Sequence, residues 1–394
     1  MPGSVILAGA RTPIGKLSGA LAGFSAMDLG GFAIAAALER AGITPDQVQY
    51  TFMGQVLQAG QGQITARQAA VKGGVPMDVP ATTVNKVCLS GLNALYLADL
   101  MIQAGEADVV VAGGMESMTN APYLLPGARA GYRLGDQTVV DSLMHDGLYC
   151  QFDRCAMGLG TEQYNRVAKI SRERQDAAAA LSHERAATAM KDGRLADEIV
   201  QVGVPQRKGD PIVVDSDEGV RPGTTAESLG GLRPAFDKDG TITAGNASQI
   251  SDGGAAVVMV SRARAEQLGI TPLGEILSYG QVAGPDASLL YQPAAAIEQA
   301  LGKMGKAVSD VDLFELNEAF AVVGLASSDR LGITEDVVNV NGGAIALGHP
   351  IGMSGARLPL TLLHELKRRG GGTGAVALCG GGGQGDAMMV RTIS

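Results

Sequence analysis

The sequence predicts an α/β fold built of two similar halves with a loop-rich region inserted between them, and three observations carry that prediction. Ala, Gly, Val and Leu are abundant, Trp is absent and aromatic residues make up only 4% of 394 residues. Side chains this small suit closely packed helices and buried parallel strands better than an aromatic binding surface. A segment order repeats: a small-residue turn, a helix-length apolar stretch, a bend and a strand follow Cys88 and return after His349. Between the two copies the texture changes, with Pro-Gly turns and a charged helical segment from about Thr119 to Gly245.

Taken in chain order, Met1–Arg11 reads as a first strand. Cys88 opens a helix rich in Leu, Ala and Met that runs to about Ala104, and Gly105 leads to a strand over Asp108–Ala112 that Gly113-Gly114 terminates. The insertion holds a helix around Ser171–Asp192 and a loop section from Pro205 to Gly240, which suits a substrate-binding lid. In the second copy the Gly352–Gly355 turn precedes a helix through Arg369, with Leu358, Leu362 and Leu366 on one face. Pro359 fits only near the first turns of that helix. A glycine-rich bend and a strand over Ala375–Leu378 then reach Gly380-Gly381. The expected units are an N-terminal half, 1–118, completed by about 246–270; a loop domain, 119–245; and a C-terminal half, 271–394. A chain this long exceeds one ordinary core.

Composition narrows the function classes. The formal net charge is −9 and no long Lys/Arg run occurs, which argues against nucleic acid or an anionic membrane as the main partner. Apolar runs such as Val109–Val111 and Ala255–Val260 fall far short of the ~20 residues of a membrane span. Four cysteines are too few for a disulfide scaffold; Cys150 and Cys155 lack CxxC spacing, and His145 alone nearby does not complete a zinc set. No metal or bound cofactor is expected. The start lacks a basic leader region and the end, Arg391-Thr392-Ile393-Ser394, carries no peroxisomal address. A reduced, cytoplasmic location is expected.

Three stretches set one reactive side chain among small residues: Val84–Gly91 around Cys88, Gly348–Gly352 around His349, and Leu378–Gly383 around Cys379. A lone Cys is usually a small buried hydrophobe and glycines alone mark turns, but the combination describes a nucleophilic thiol, an imidazole and a second thiol beside accessible backbone N–H groups. A helix N-terminus and an imidazole near Cys88 would favour its thiolate. His145, His183 and His364 lie in contexts that fit surface or core roles. Asn317, before Glu318-Ala319-Phe320, reads from sequence alone as a helix cap.

Val84–Gly91, Asn317–Phe320, Asn339–Gly355 and Ala375–Gly385, with Gly9–Pro13 and Leu232–Phe236, resemble the signatures of the thiolase family, in the same order and across essentially the whole chain. The resemblance implies an αβαβα sandwich of two similar halves with a loop domain, coenzyme A thioesters as substrates rather than cofactors, acyl-CoA and so fatty-acid metabolism, and a homotetramer. The biosynthetic type, acetyl-CoA C-acetyltransferase, looks closest. In that frame Cys88 carries the acyl group, because a thiolate exchanges thioesters with little change in bond energy. His349 activates it, and Cys379 is the base for the α-carbon. The N–H groups of Cys88 and Gly381 hold the acyl-enzyme oxygen, while the other thioester oxygen meets His349 and a water on Asn317.

Positions matching the family's coenzyme A contacts are Leu148, Met157, Arg221, Ser228, Phe236, Ala244, Ala247, Ser248 and Phe320. Arg221 could pair with a phosphate or the adenine region, although an exposed Arg is often only a solvated charge. One departure stands out: biosynthetic thiolases commonly read His-Met-Gly where this chain has Ala156-Met157-Gly158, which leaves room for a longer or branched acyl chain. The alternatives are a degradative 3-ketoacyl-CoA thiolase of broader chain length and a non-catalytic acyl-CoA-binding subunit, for which both thiols, His349 and Asn317 would be superfluous. A nicotinamide dehydrogenase fits poorly, since no GxGxxG opens a βαβ unit.

Overall fold

A computed structural model describes residues 4–393, so Met1–Gly3 and Ser394, which the expected first strand and C-terminal end include, lie outside the described residues. In the first half, strands Tyr50–Gly54, Val109–Ser117, Ser251–Ser261 and Ser4–Arg11 lie side by side in that order. In the second half, Leu313–Leu316, Thr373–Gly380, Gln384–Thr392 and Gly274–Ala283 repeat it. In both, the first pair is parallel and the next two are antiparallel. The repeated topology makes the sequence echo a structural duplication. The two half-sheets meet where Val5 and Ile6 pair with Glu275 and Gly274, and Ala81–Val84 adds an outer strand to the first. The sheet is therefore mixed, not the parallel one that the composition suggested.

Strand alternation builds the layers. Val110 and Ala112 face a central core with Leu92 and Leu95, whereas Val109 and Val111 face an outer core with Ile34 and Ala37. In the second half, Val376 and Leu378 point to the central core, and Ala375 and Ala377 meet Ile297 and Ala300 outside. Two helices, Ser90–Gln103 and Ser354–Arg368, fill the middle against strands of both halves. Ala26–Ala41 and Thr65–Lys72 cover one outer face, and Gln292–Met304 covers the other. Leu358, Leu362 and Leu366 are at most 2% exposed, and burying each contributes about 1.5–3 kcal/mol. Pro359 lies in the second turn of its helix, close to the N-terminus as expected, where its missing N–H costs one bond, to the Gly355 carbonyl.

The expected strand end at Gly113-Gly114 is not observed: the strand runs on to Ser117. A Cβ at Gly114 would lie 2.0 Å from the Gly352 carbonyl oxygen, so this glycine serves close approach to the His349 turn rather than a bend. Likewise a Cβ at Gly355 would lie 2.3 Å from Leu92 N. The two central helices thereby start against each other, and both bring a reactive residue to the same place.

Residues 119–245 lie between the strands Val109–Ser117 and Ser251–Ser261, where the second half has only the Gly381–Gly383 turn between Thr373–Gly380 and Gln384–Thr392. The helix expected here is Arg172–Lys191, capped by the Ser171 side chain accepting from Arg174 N–H. Buried Arg11 ties this region to the first strand through Glu198 at 2.7 Å and Asp217 at 2.7 Å.

Candidate active site

Cys88 sits on a constrained turn after the strand Ala81–Val84. Val87 holds φ at +51°, a costly conformation for a β-branched residue. The turn compensates with hydrogen bonds: Val87 N–H donates to Asn85 Oδ1 at 3.1 Å, Lys86 N–H donates to Ser90 Oγ at 2.8 Å, and Ser90 Oγ donates to the Val87 carbonyl at 2.6 Å. Lys86 Nζ is clamped by both oxygens of Asp386 at 2.7 and 2.8 Å, and Tyr279 Oη donates to the same carboxylate at 2.6 Å.

The helix begins at Ser90 with Leu89 as its cap, so Cys88 stands before the helix rather than opening it. The expectation of a favoured thiolate is also corrected. Burial pushes the Cys88 thiol up to about 12; its own backbone N–H opposes this, and the charge of Glu116 adds to it. Desolvation outweighs the helix terminus, so the resting group is a thiol and attack requires a base.

His349 N–H donates to the Gln249 carbonyl, and the ring is buried. Nδ1 lies 2.6 Å from Ser354 Oγ, and Ser354 Oγ donates to the Pro350 carbonyl at 3.0 Å. The hydroxyl hydrogen is thereby committed, so Nδ1 carries a proton and donates it, leaving the Nε2 lone pair facing the site. Burial, and secondarily the charge of Arg357, lowers His349 to about 3, which keeps the imidazole neutral. Glu116 braces the turn, accepting from Gly352 N–H at 3.0 Å, Val56 N–H at 3.0 Å and Leu57 N–H at 3.1 Å.

Asn317 Nδ2 is 3.4 Å from His349 Nε2. Its Oδ1 is buried with no hydrogen-bond partner among the described residues. The capping reading fails, because the next helix is Ala321–Leu331 with Phe320 at its cap position. A buried amide oxygen without a partner is costly unless a ligand or water meets it.

Cys379 lies at the end of its strand opposite Gly385. Burial raises its thiol above the ordinary range, and the nearby charge of Cys88 raises it further. A Cβ at Gly380 would fall 2.6 Å from the Leu89 side chain, and one at Gly381 would fall 3.4 Å from Val87. The glycine loop thus presses against the Cys88 turn.

Both thiols lie behind the walls of one cavity of about 490 Å³ that His349 lines. Cys88 belongs to an apolar cluster with Met118, Leu148, Ile250 and Ile351, and Cys379 to one with Met157, Ala247, Ala319 and Phe320; all eight of these cluster residues line the cavity. Arg221, Phe236, Ala244 and Ser248 line it too. Ala247 pairs with Phe320, and Ser248 N–H donates to the Ala319 carbonyl, which joins the two lining segments. Ser228 is the exception: it is exposed on the helix Ala226–Gly230, with Oγ donating to the Thr225 carbonyl, and does not line the cavity. Gly381 borders an adjoining outer cleft with Val87 and Phe152, and Met157 lines both this cleft and the cavity.

Sequence reasoning missed Lys16, Met118, Met144, Gln249, Ile250 and Ile351 in the cavity wall, and Ser354 and Glu116 behind it. Ser354 stands five residues after His349, a relation that becomes visible only once the turn between them is known. Among the described residues no group of three or more His, Cys, Asp or Glu side chains could hold a metal ion, and no helix is long and apolar enough to cross a membrane.

Residues 4–263 match the thiolase N-terminal domain family and residues 270–392 match the thiolase C-terminal domain family. The chain is 59% identical over 387 residues to a probable acetyl-CoA acetyltransferase of Mycolicibacterium smegmatis, covering 98% of this chain and 100% of the relative. It is 51% identical to an acetyl-CoA acetyltransferase of Cupriavidus necator and 49% identical to one of Pseudomonas aeruginosa, each over 98% of both chains. With matched domains spanning both halves, and with two cysteines, a histidine and an asparagine gathered around one cavity, the chain belongs to the thiolase family.

Proposed function

We propose that this protein is an acetyl-CoA C-acetyltransferase that catalyses the reversible Claisen condensation of two acetyl-CoA molecules to acetoacetyl-CoA and CoA. The observation that carries the reading is the convergence of Cys88, Cys379 and a neutral His349 behind a single apolar cavity. His349 Nε2 takes the Cys88 proton as sulfur attacks the thioester. Cys379 gives its proton to the departing CoA thiolate and becomes the base. Its raised pKa makes that thiolate a stronger base for a weakly acidic α-carbon. The resulting enolate oxygen faces protonated His349 and a water on Asn317 Oδ1, and the N–H groups of Cys88 and Gly381 receive the acyl-enzyme oxygen. When the carbon–carbon bond forms, Cys88 leaves as thiolate and recovers its proton from His349. Cys379 has gained the α-proton, so protons balance over the cycle.

Coenzyme A would lie along Leu148, Met157, Phe236, Ala244, Ala247, Ser248 and Phe320, with Arg221 at its phosphates and Ser228 at its outer end. A broader 3-ketoacyl-CoA range is the second reading, favoured by Ala156 beside Met118, Met144 and Met157 in the wall, since flexible thioethers and a small residue adapt to longer chains. A homotetrameric, cytoplasmic enzyme is part of the proposal. The direct test is mixing with acetyl-CoA: one acetyl mass added to the protein with release of free CoA supports it, and no acylation with intact binding would favour an acyl-CoA-binding subunit.

A further inference from the structure

The acyl-transfer chemistry leaves two cysteines unused, and the fold sets them face to face. The short strands Tyr149–Cys150 and Cys155–Ala156 form an antiparallel hairpin in which Tyr149 is opposite Ala156 and Cys150 is opposite Cys155. Directly opposed residues of such a pair project to the same side, with Cβ atoms about 4.5–5.5 Å apart. Opposed Cα atoms in such a pair lie about 4.5–5.5 Å apart, within the about 4.4–6.8 Å that a disulfide spans, and closing the bond draws the Cβ atoms in to its about 3.5–4.5 Å. Both cysteines are free thiols in this structure.

Their surroundings differ in a way that suits stepwise oxidation. Asp153 N–H donates to Cys150 Sγ at 3.4 Å, and Gly160 N–H faces the Cys155 sulfur. Cys150 is buried, whereas Cys155 is partly open. The hairpin is also well placed to affect substrate. Phe152 at its tip overlies Gly382 of the loop after Cys379, and Ala156 and Met157, directly after Cys155, line the substrate cavity.

We propose that Cys150 and Cys155 form a reversible dithiol–disulfide site, oxidised by low-molecular-weight disulfides of the glutathione class, that adjusts the wall of the acyl-CoA cavity. The Cys155 thiolate attacks one sulfur of the glutathione disulfide and releases one glutathione thiolate. The Cys150 thiolate then attacks the Cys155 sulfur and releases the second. Two protein thiols are oxidised by two electrons, two glutathione molecules are reduced, and the two protons lost by the cysteines end on them. The ring that closes is short, so the bond removes little chain entropy from the unfolded state. It therefore acts as a switch on a local loop rather than as a staple of the fold.

The test uses the full-length protein, exposed to oxidised glutathione at neutral pH, blocked with iodoacetamide and digested with trypsin. Arg154 lies between the two cysteines, so trypsin separates them. The disulfide is then read as the peptide ending at Arg154 joined to the peptide from Cys155 to Arg166. The expected result is that linked pair, split by dithiothreitol and absent from Cys150→Ser and Cys155→Ser, both of which keep basal activity. Oxidised wild type should also show a KM for acetyl-CoA shifted by at least about twofold, restored by dithiothreitol. Recovery of both cysteines as alkylated residues, a glutathione adduct with no internal bond, or a Cys88–Cys379 bond in its place would overturn the site. An unchanged KM in fully linked protein would overturn its effect on the cavity. The peptide linkage is read without turnover, so it stands or falls separately from the proposed acetyltransferase activity.

Discussion

Ser354→Ala probes the reactive state of His349 most sharply. Ser354 Oγ lies 2.6 Å from Nδ1 and gives its own hydrogen to the Pro350 carbonyl at 3.0 Å, so the ring must donate from Nδ1 and present a bare Nε2. Without the hydroxyl, the reactive tautomer leaves a buried N–H unpartnered, at a cost of about 1–3 kcal/mol. The imidazole escapes that cost by carrying its proton on Nε2 instead, where it cannot accept one from Cys88. At about 1.4 kcal/mol per tenfold, the reactive fraction and the acetylation rate should fall about 5- to 150-fold. The assay is rapid quenching after mixing with acetyl-CoA, with acetyl-protein quantified by mass, alongside urea unfolding to show that the variant folds. Ser354→Thr retains a hydroxyl and should recover most of the rate. If folded Ser354→Ala acetylates within about twofold of wild type, Ser354 does not set the tautomer, and the assignment of Nε2 as proton acceptor loses its basis.

Three further outcomes are expected. Because burial holds Cys88 up to about 12, its alkylation by iodoacetamide should rise about tenfold per pH unit from about pH 7 to pH 9, and a plateau in that window would contradict the desolvated site. Ala156→His should lower kcat/KM for longer 3-ketoacyl-CoA chains relative to acetoacetyl-CoA by filling the cavity wall; an unchanged ratio would mean that position 156 does not limit chain length. Arg11→Ala leaves the buried Glu198 and Asp217 carboxylates without their cation and should cost about 3–5 kcal/mol in urea unfolding, whereas a loss below about 1 kcal/mol would show that the triad is replaceable.

The parts of the molecule legible in the sequence are those with local signals. The helical face of Leu358, Leu362 and Leu366, the cap at Ser171 and the repeated segment order could be read directly, and the repeat reappears as two identical strand orders. The Gly113-Gly114 pair misled because a glycine required by close approach looks, in sequence, like a glycine required by a turn; only the Gly352 carbonyl across the interface tells them apart. The protonation state of Cys88 was misjudged for a similar reason. A helix start is a local feature, but desolvation depends on Met118, Leu143 and Ile351 arriving from distant segments. Ser354 and Glu116 act on the His349 turn through hydrogen bonds that no spacing announces. The unpartnered Asn317 Oδ1, which distinguishes a site residue from a cap, is likewise a property of the packed chain.

The central claim is that two buried thiols divide the work, Cys88 carrying the acyl group and Cys379 moving the carbon-bound proton. The most direct measurement follows both half-reactions in Cys379→Ala: acetyl transfer from acetyl-CoA located by peptide mapping, and exchange of the acetyl-CoA α-protons in deuterated water. The account predicts measurable acetylation confined to Cys88, with proton exchange and condensation reduced by about 10²–10⁴-fold, while Cys88→Ala loses acetylation outright. Near-normal proton exchange in Cys379→Ala, or acetyl found mainly on Cys379 in the unmodified enzyme, would contradict it.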